Sequence, residues 1–248
     1  MIPKIIHYCW LSCDPYPAKI KKCIDSWKQI FPDYKFVLWD INSSEINTVP
    51  WVKQAFKVKK YAFAADYIRL YALYKYGGIY LDSDVEVLKS FDDLLSLPYF
   101  IGCDSQNKIE AAIIGAYPNT KWIYDCLSYY ENRNFEREDE TFDITTLPII
   151  MEEMVRMKYQ IKLLESYNSE FYNDKTVCLF PFDFFCSKRH DTGKIVITER
   201  TYSIHHFAMS WQSKDRRMLT YIKRCLIKLF GEKGIYKVER IFYLDKLK

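Results

Sequence analysis

The 248-residue sequence predicts an α/β fold with a mainly parallel central sheet. Three observations predict it. The chain opens on a β-α-β pattern, a long helical stretch runs into a Gly-Gly stop and at once into an apolar strand, and that strand ends in two carboxylates, where open α/β sheets collect ligands. With 49% apolar and 17% aromatic residues the chain can bury one large core, and its length suits one domain with a small appendage.

Residues 4–10, Lys-Ile-Ile-His-Tyr-Cys-Trp, are rich in β-branched and aromatic side chains and predict the first strand. After a Ser/Cys/Asp/Pro loop, Ile20, Cys23, Ile24 and Trp27 recur at helical spacing behind Pro17, a residue suited to a first helical turn, so residues 17–31 predict a helix. Residues 35–40 predict a second strand, parallel to the first because a helical crossover joins them. Over residues 60–76, Ala64, Ala65, Ile68, Leu70, Tyr71, Ala72 and Leu73 follow a helical pattern, with Gly77 placed to end it. The strand Ile79-Tyr80-Leu81 follows. Further strands are expected at 99–103, 111–116 and 202–204, helices at 120–132 and 145–158, and a charged, aperiodic surface loop at 132–143.

The chemistry concentrates in Gly77-Gly78-Ile79-Tyr80-Leu81-Asp82-Ser83-Asp84. In an extended chain, residues two apart share a side, so Asp82 and Asp84 can address one cation while Ser83 points away. Mg²⁺ or Mn²⁺ on a substrate diphosphate suits this pair, since such ions take few carboxylates and keep positions for substrate oxygens and water. A solvated acidic turn is the plainer reading of D-x-D alone; the Gly-Gly and apolar strand before it favour the metal. An EF-hand beginning at Asp82 fails, because Val87 stands where the sharp turn needs Gly and a strand precedes it.

Asp66 and Arg69 lie three apart on one helix face, where Arg69 can hold a phosphate or sugar oxygen; the plain alternative is a surface ion pair. Trp10 ends the first strand at a ligand-binding edge and can stack on a nucleotide base, against ordinary core packing. His205 and His206 close the last strand. One imidazole can complete a metal shell and Trp211 can cover the sugar or phosphates, against a purely structural His pair. Phosphate-loop, dinucleotide-fingerprint and nucleophile-elbow motifs are missing, and with seven glycines in all, the ordinary ATPase, dehydrogenase and serine-hydrolase readings lose support.

Eight scattered cysteines without a C-x-x-C pair read as reduced thiols. No apolar run reaches the roughly 18 residues of a membrane span, and Met1-Ile2-Pro3-Lys4 does not resemble a secretory leader, so a cytoplasmic chain is expected. The net charge of +4 divides unevenly: residues 214–248 hold eleven Lys/Arg against four Asp/Glu, or +7, leaving 25 minus 28, or −3, elsewhere. That balance opposes a nucleic-acid footprint. A catalytic domain over residues 1–212 and a basic amphipathic helical tail over 213–248 are expected. Two readings of the tail stay open: a helix lying on anionic lipid at the inner face of the cell membrane, or one packing its apolar stripe on the catalytic domain.

Taken together, Ile2-Pro3-Lys4-Ile5-Ile6-His7-Tyr8-Cys9-Trp10, Asp66-Tyr67-Ile68-Arg69, Gly77 to Asp84 and His205-His206 resemble, in order and spacing, bacterial sugar transferases of glycosyltransferase family 32, the group described by a sugar-binding region containing a DXD motif. The resemblance points to enzymes of capsular and lipopolysaccharide type. It implies a GT-A-type nucleotide-diphospho-sugar transferase fold, Mn²⁺ or Mg²⁺ on the D-x-D acids, a nucleotide-sugar donor, by preference a UDP-sugar, retention at the anomeric carbon, and a glycan or lipid-linked saccharide acceptor. It also implies Trp10 stacked on the donor base, Asp66 and Arg69 on ribose, sugar or phosphates, and Tyr8, Cys9 and Ser83 among the donor-binding residues. Asp84 would bind the metal directly and Asp82 through water or the ribose, with His206 or His205 and Trp211 closing the site; Asp82, Asp84 and Arg69 would be the catalytic groups. Two segments depart from the family pattern. Glu110 precedes Ala111-Ala112-Ile113-Ile114-Gly115 where relatives often carry Asn, and Thr145-Thr146-Leu147-Pro148 replaces a Thr-Gly-Pro segment, so donor choice does not transfer. Were a covalent intermediate to form, Glu110 or Asp104 is the available carboxylate. The rival readings are a metal-dependent nucleotidyl- or phosphotransferase and a nucleotide-sugar-binding protein without turnover.

Overall fold

A computed structural model describes residues 1–43, 46–165, 171–208 and 214–231. In chain order its elements are β1 (Ile5–Cys9), α1 (Ala18–Ile30), β2 (Lys35–Trp39), α2 (Pro50–Lys57), α3 (Tyr61–Tyr76), β3 (Gly78–Leu81), β4 (Val85–Val87), β5 (Tyr99–Cys103), β6 (Ile109–Ala116), α4 (Lys121–Leu127), α5 (Leu147–Lys158), β7 (Gln160–Leu163), β8 (Thr176–Leu179), α6 (Phe182–Phe185), β9 (Ser203–His205) and α7 (Lys214–Phe230).

The opening β-α-β unit forms as the periodicity requires. α1 buries Ile20, Cys23, Ile24 and Trp27, and β1 pairs in parallel with β2. α3 is buried on nearly every side, Asp66 and Arg69 included, and so lacks a clean amphipathic stripe. It ends at Gly77, with φ of +62°, followed by Gly78 at +98°. L residues avoid both conformations, and a Cβ on Gly78 would lie 2.7 Å from the Ile5 carbonyl oxygen. This tight corner swings the chain out of α3 and into β3 alongside β1.

The central sheet runs β2-β1-β3-β6-β5. β1 is parallel to β2 and β3, while β6 is antiparallel to both β3 and β5, so four strands point one way and one the other. The fold is of the expected α/β class, with a mixed sheet of two parallel and two antiparallel pairings. β6 reverses because the short Asp104–Lys108 connection makes a hairpin, and a parallel return would need a crossover. β4 pairs with β9 antiparallel and β7 with β8 in parallel, in two small accessory sheets.

Two apolar clusters sandwich the sheet. One gathers Trp51, Phe63, Ile68, Leu73, Trp122 and Met151 under α2 to α5; the other gathers Ile6, Trp27, Phe31, Phe91, Phe100 and Phe185 around α1 and α6. Fully burying side chains of this size contributes about 1.5–3 kcal/mol each. Several elements differ from expectation. α2 and α6 are too short for periodicity to reveal, and the 120–132 helix stops at Leu127 and tightens into a 3₁₀ turn over Ser128–Tyr130. The last strand is Ser203–His205, one residue later than expected. All eight cysteines are free thiols, and among the described residues no helix is long and apolar enough to cross a membrane. α7 accounts for the first part of the expected tail; residues 232–248 lie outside the described residues.

Candidate active site

β3 ends at Leu81, and Asp82-Ser83-Asp84 turn the chain into β4, closed by the Val85 N–H donating to the Asp82 carbonyl at 3.0 Å. The two aspartates therefore converge through a turn, which corrects the expectation of side-chain alternation along an extended strand. Ser83 is half-buried at the turn. The Asp82 N–H donates to the Ala112 carbonyl at 2.8 Å, and Trp27 Nε1 to the Val85 carbonyl at 2.7 Å, so the turn is pinned at both ends. Its support from β6 exists because pairing with β5 slips there: Ile101 faces Ile114, yet Gly102 faces Glu110. The bulged residues turn their carbonyls towards the site.

Arg69 uses one of those carbonyls, with Nη1 donating to Ala111 O at 2.6 Å. Its Nη2 donates to Asp66 Oδ1 at 3.0 Å and lies 3.1 Å from Asp82 Oδ1, and the guanidinium sits 4.6 Å above the Tyr80 ring. Asp66 Oδ2 accepts the Leu147 N–H at the start of α5. At 5% and 8% exposure, Arg69 and Asp66 are no surface ion pair. Both Nη atoms have protein partners, an arrangement that fixes Asp82, while Nε is buried without one. Burial pushes the Asp66 carboxyl up to about 6 against the opposing pull of Arg69.

His205, buried at the end of β9, bridges two acids: Nε2 is 3.4 Å from Asp84 Oδ1 and Nδ1 is 3.5 Å from Glu110 Oε1. Asp84 Oδ2 also accepts the Ala208 N–H at 2.6 Å. Burial pushes Asp84 up, but the His205 charge and hydrogen bond together with the Ala208 N–H outweigh it and hold the carboxyl at about 2. At Asp82 burial prevails over Arg69, and the carboxyl is raised.

One oxygen each from Asp82 and Asp84 and one His205 nitrogen lie within 4.8 Å of one another. Metal–ligand bonds of about 2.1 Å place ligating atoms no more than about 4.2 Å apart, so a contraction of a few tenths of an ångström would close the set. Two carboxylates and an imidazole fit Mn²⁺ well; Mg²⁺ prefers all-oxygen surroundings. A second group, Glu110, Cys186 and His205, shares the imidazole; burial raises the Cys186 thiol to about 12.

The other expected residues are placed differently. His206 does not join the metal set: its Nε2 is 2.8 Å from Glu86 Oε2, and Lys22 holds the same carboxylate. Neighbours in an extended segment face opposite sides, so only one of the two histidines can reach the aspartates. Trp10 is half-buried beyond β1, its Nε1 donating to the Asp14 carbonyl at 2.7 Å and its ring edge-on to Tyr16 at 5.0 Å. Tyr8 packs edge-on against Trp27 on the α1 side, while Cys9 is buried on the other face beside Tyr80 and Arg69, its thiol pushed up to about 12 by burial. Asp104 ties its own hairpin, accepting the Gln106 and Lys108 N–H groups, and is not part of the cluster. Trp211 lies outside the described residues. Cys186 escaped sequence reasoning; a lone cysteine 76 positions from Glu110 gives no signal of that contact.

The family model described as a glycosyltransferase sugar-binding region containing DXD motif matches residues 17–101, which include the Asp82/Asp84 turn. The chain is 37% identical over 122 residues to inositol phosphoceramide mannosyltransferase 3 of Schizosaccharomyces pombe, covering 46% of this chain and 33% of that protein. It is 34% identical over 125 residues to a mannosyl phosphorylinositol ceramide synthase of Saccharomyces cerevisiae, covering 48% and 32%. The chain thus spans about a third of the length of these curated relatives. Among solved structures, PaToxG glycosyltransferase aligns at 23% identity and a TM-score of 0.49 over 63% of this chain and 68% of that one. These relatives are fungal proteins named for mannosyl transfer to inositol phosphoceramide, in place of the bacterial surface-polysaccharide enzymes first suggested by resemblance.

Proposed function

We propose that this chain is a metal-dependent glycosyltransferase domain that moves a hexose, mannose by likeness to its relatives, from a nucleotide-diphosphate donor to a hydroxyl of a lipid-borne or glycan acceptor. The observation that carries the reading is the turn-borne Asp82 and Asp84 sharing a metal-sized triangle with His205, beside the buried Asp66–Arg69 pair. Asp82, Asp84 and His205 would hold Mn²⁺ or Mg²⁺, which when bound supplies Lewis-acid neutralisation of the charge appearing on the leaving diphosphate.

The chain's own residues prepare that site. Arg69 fixes Asp82 and ties the turn to the β6 bulge. Glu110 orients the His205 ring from behind, so that Nε2 faces the aspartates. Trp10 stands at the carboxyl end of β1, where a donor base would sit. Family resemblance adds retention without a protein nucleophile. The Glu110 carboxylate is already occupied by the Ala112 N–H and His205, which supports an orienting role over a covalent one.

The test is incubation with Mn²⁺ or Mg²⁺ and a panel of UDP-, GDP- and dTDP-sugars without acceptor, reading released nucleotide diphosphate and free sugar. UDP-sugars enter from the sequence resemblance and GDP-mannose from the mannosyl relatives. Metal-dependent hydrolysis of one donor, lost in Asp84→Asn, supports the reading. No heat of binding for any donor in calorimetry with Mn²⁺ would overturn it, and release of a nucleoside monophosphate would favour a nucleotidyltransferase.

A further inference from the structure

α7 meets the rest of the chain with an unexpected face. Arg224 donates through Nε and Nη2 to the His190 carbonyl, at 3.2 and 2.5 Å, and its stem packs over Gly193. Ile227 is buried, and Arg217 and Thr220 are half-buried; with Arg224 they recur every three or four residues and form the inner face. The apolar stripe points elsewhere: Met218, Leu219, Tyr221, Ile222, Leu226 and Leu229 are 58, 62, 68, 44, 38 and 74% exposed. An apolar stripe packed on the domain, one of the two readings open from sequence, is therefore not what these residues form.

We infer that this outward face of α7 is a membrane-docking surface for bilayers carrying anionic lipid. The helix holds six Lys/Arg against one Asp, or +5, over residues 214–230, with Arg217 and Arg224 of the six on the inner face. Arg216 and Lys223 border the apolar stripe by helical spacing, the distribution of a helix lying in the plane of a bilayer interface, with aliphatic stems inward and charges at headgroup level. Charge complementarity selects lipid over a second copy of this chain, since self-association would bring two +5 helices together.

The helix also sits close to the metal set. His190, whose carbonyl Arg224 holds, packs its ring on Phe207 at 5.0 Å, and Phe207 lies 4.1 Å from the His205 ring. Docking through α7 would bring the site to the lipid surface, where an acceptor embedded by its acyl chains is found.

The inference goes beyond the transfer reaction and is tested apart from it. The full chain is floated with vesicles of phosphatidylcholine alone or mixed with phosphatidylglycerol, at low and high salt, beside the doubly substituted Leu219→Glu, Leu226→Glu chain. Both leucines are solvent-exposed, so the variant keeps its fold, read by circular dichroism. Wild type is expected to float with the mixed vesicles, less so in high salt, and the variant to lose at least about tenfold in partition, since each leucine withdraws its burial contribution. Failure of wild type to float, or equal flotation of the variant, would overturn the inference. A dimer seen by light scattering for wild type and abolished in the variant would assign the face to self-association instead. Donor hydrolysis in vesicle-free solution, unchanged in the variant, keeps failure of docking distinct from failure of the proposed reaction.

Discussion

His7 supports the Gly77-Gly78 corner from beneath and is 1% exposed. Its Nε2 lies 2.9 Å from the Gly77 carbonyl oxygen and its Nδ1 3.2 Å from Trp39 Nε1. An indole nitrogen can only donate, so Nδ1 accepts and Nε2–H donates; the neighbours admit a single neutral tautomer. A second proton would set an N–H against an N–H in a buried site. Burial accordingly lowers the His7 pKa from 6.5 to about 4, with the Gly77 bond pulling weakly the other way and Lys35 adding to the lowering. The folded-state value lies below the unfolded one, so the stabilisation is intact above 6.5 and is lost as pH falls through about 4. The gap of about 2.5 units, at 1.36 kcal/mol per unit, amounts to about 3 kcal/mol, a large share of an ordinary domain's stability. Urea unfolding of wild type and His7→Asn across this window measures it, because the variant keeps an acceptor near Nδ1 and cannot titrate. The wild-type advantage is expected to shrink by about 3 kcal/mol on acidification. A gap constant with pH would refute the tautomer argument.

Asp84→Asn should abolish Mn²⁺ binding in titration calorimetry while leaving the circular dichroism spectrum unchanged; undiminished binding would remove Asp84 from the metal set. Glu110→Gln leaves all three ligands in place but loosens the His205 ring, so Mn²⁺ affinity should fall by about 10- to 100-fold without vanishing. In Gly115→Ala, a Cβ would lie 2.2 Å from Phe100 Cε1, an overpacking expected to cost about 1–3 kcal/mol and to appear as a lowered melting temperature. Adding Phe100→Leu should recover part of that loss.

What the sequence revealed follows the reach of local rules. α1 and β1 were legible because Ile20, Cys23, Ile24 and Trp27 repeat at 3.6 and the strand is a compact β-branched run. The Gly-Gly corner and the acids after it were legible because glycine punctuates so strongly. The turn that makes the two acids converge is not legible in the sequence, since a three-residue connection to β4 gives no periodic signal, and β4 itself is only three residues long. The histidine pair shows the same limit. Sequence flagged both, but which of them faces Asp84 depends on where β9 starts, and a one-residue shift in that strand exchanges the faces of His205 and His206. The partnership of Glu110 with His205 was hidden altogether, because it depends on the β5–β6 slip, a register event that neither strand announces.

The charges gathered at the site explain why a cation and a diphosphate belong together there. Asp66 and Asp82 pack against Arg69, while Asp84 and Glu110 flank His205 and raise its pKa well above 6.5 against the cost of burial, so four carboxylates share two basic groups. Arg69 already faces Asp66, Asp82 and the Ala111 carbonyl, so much of its charge is offset before a polyphosphate arrives. A nucleoside diphosphate would bring further negative charge to these buried acids, where like charges a few ångströms apart repel far more than in bulk water. A divalent ion on Asp82, Asp84 and His205 reverses that balance and turns the same acids from a barrier into an anchor. Calorimetry should therefore find UDP or GDP binding only when Mn²⁺ is present, with the uncharged nucleoside far less sensitive to the metal. Equal diphosphate affinity with and without Mn²⁺ would mean that the phosphates lie away from these acids, and the proposed donor geometry would have to be abandoned.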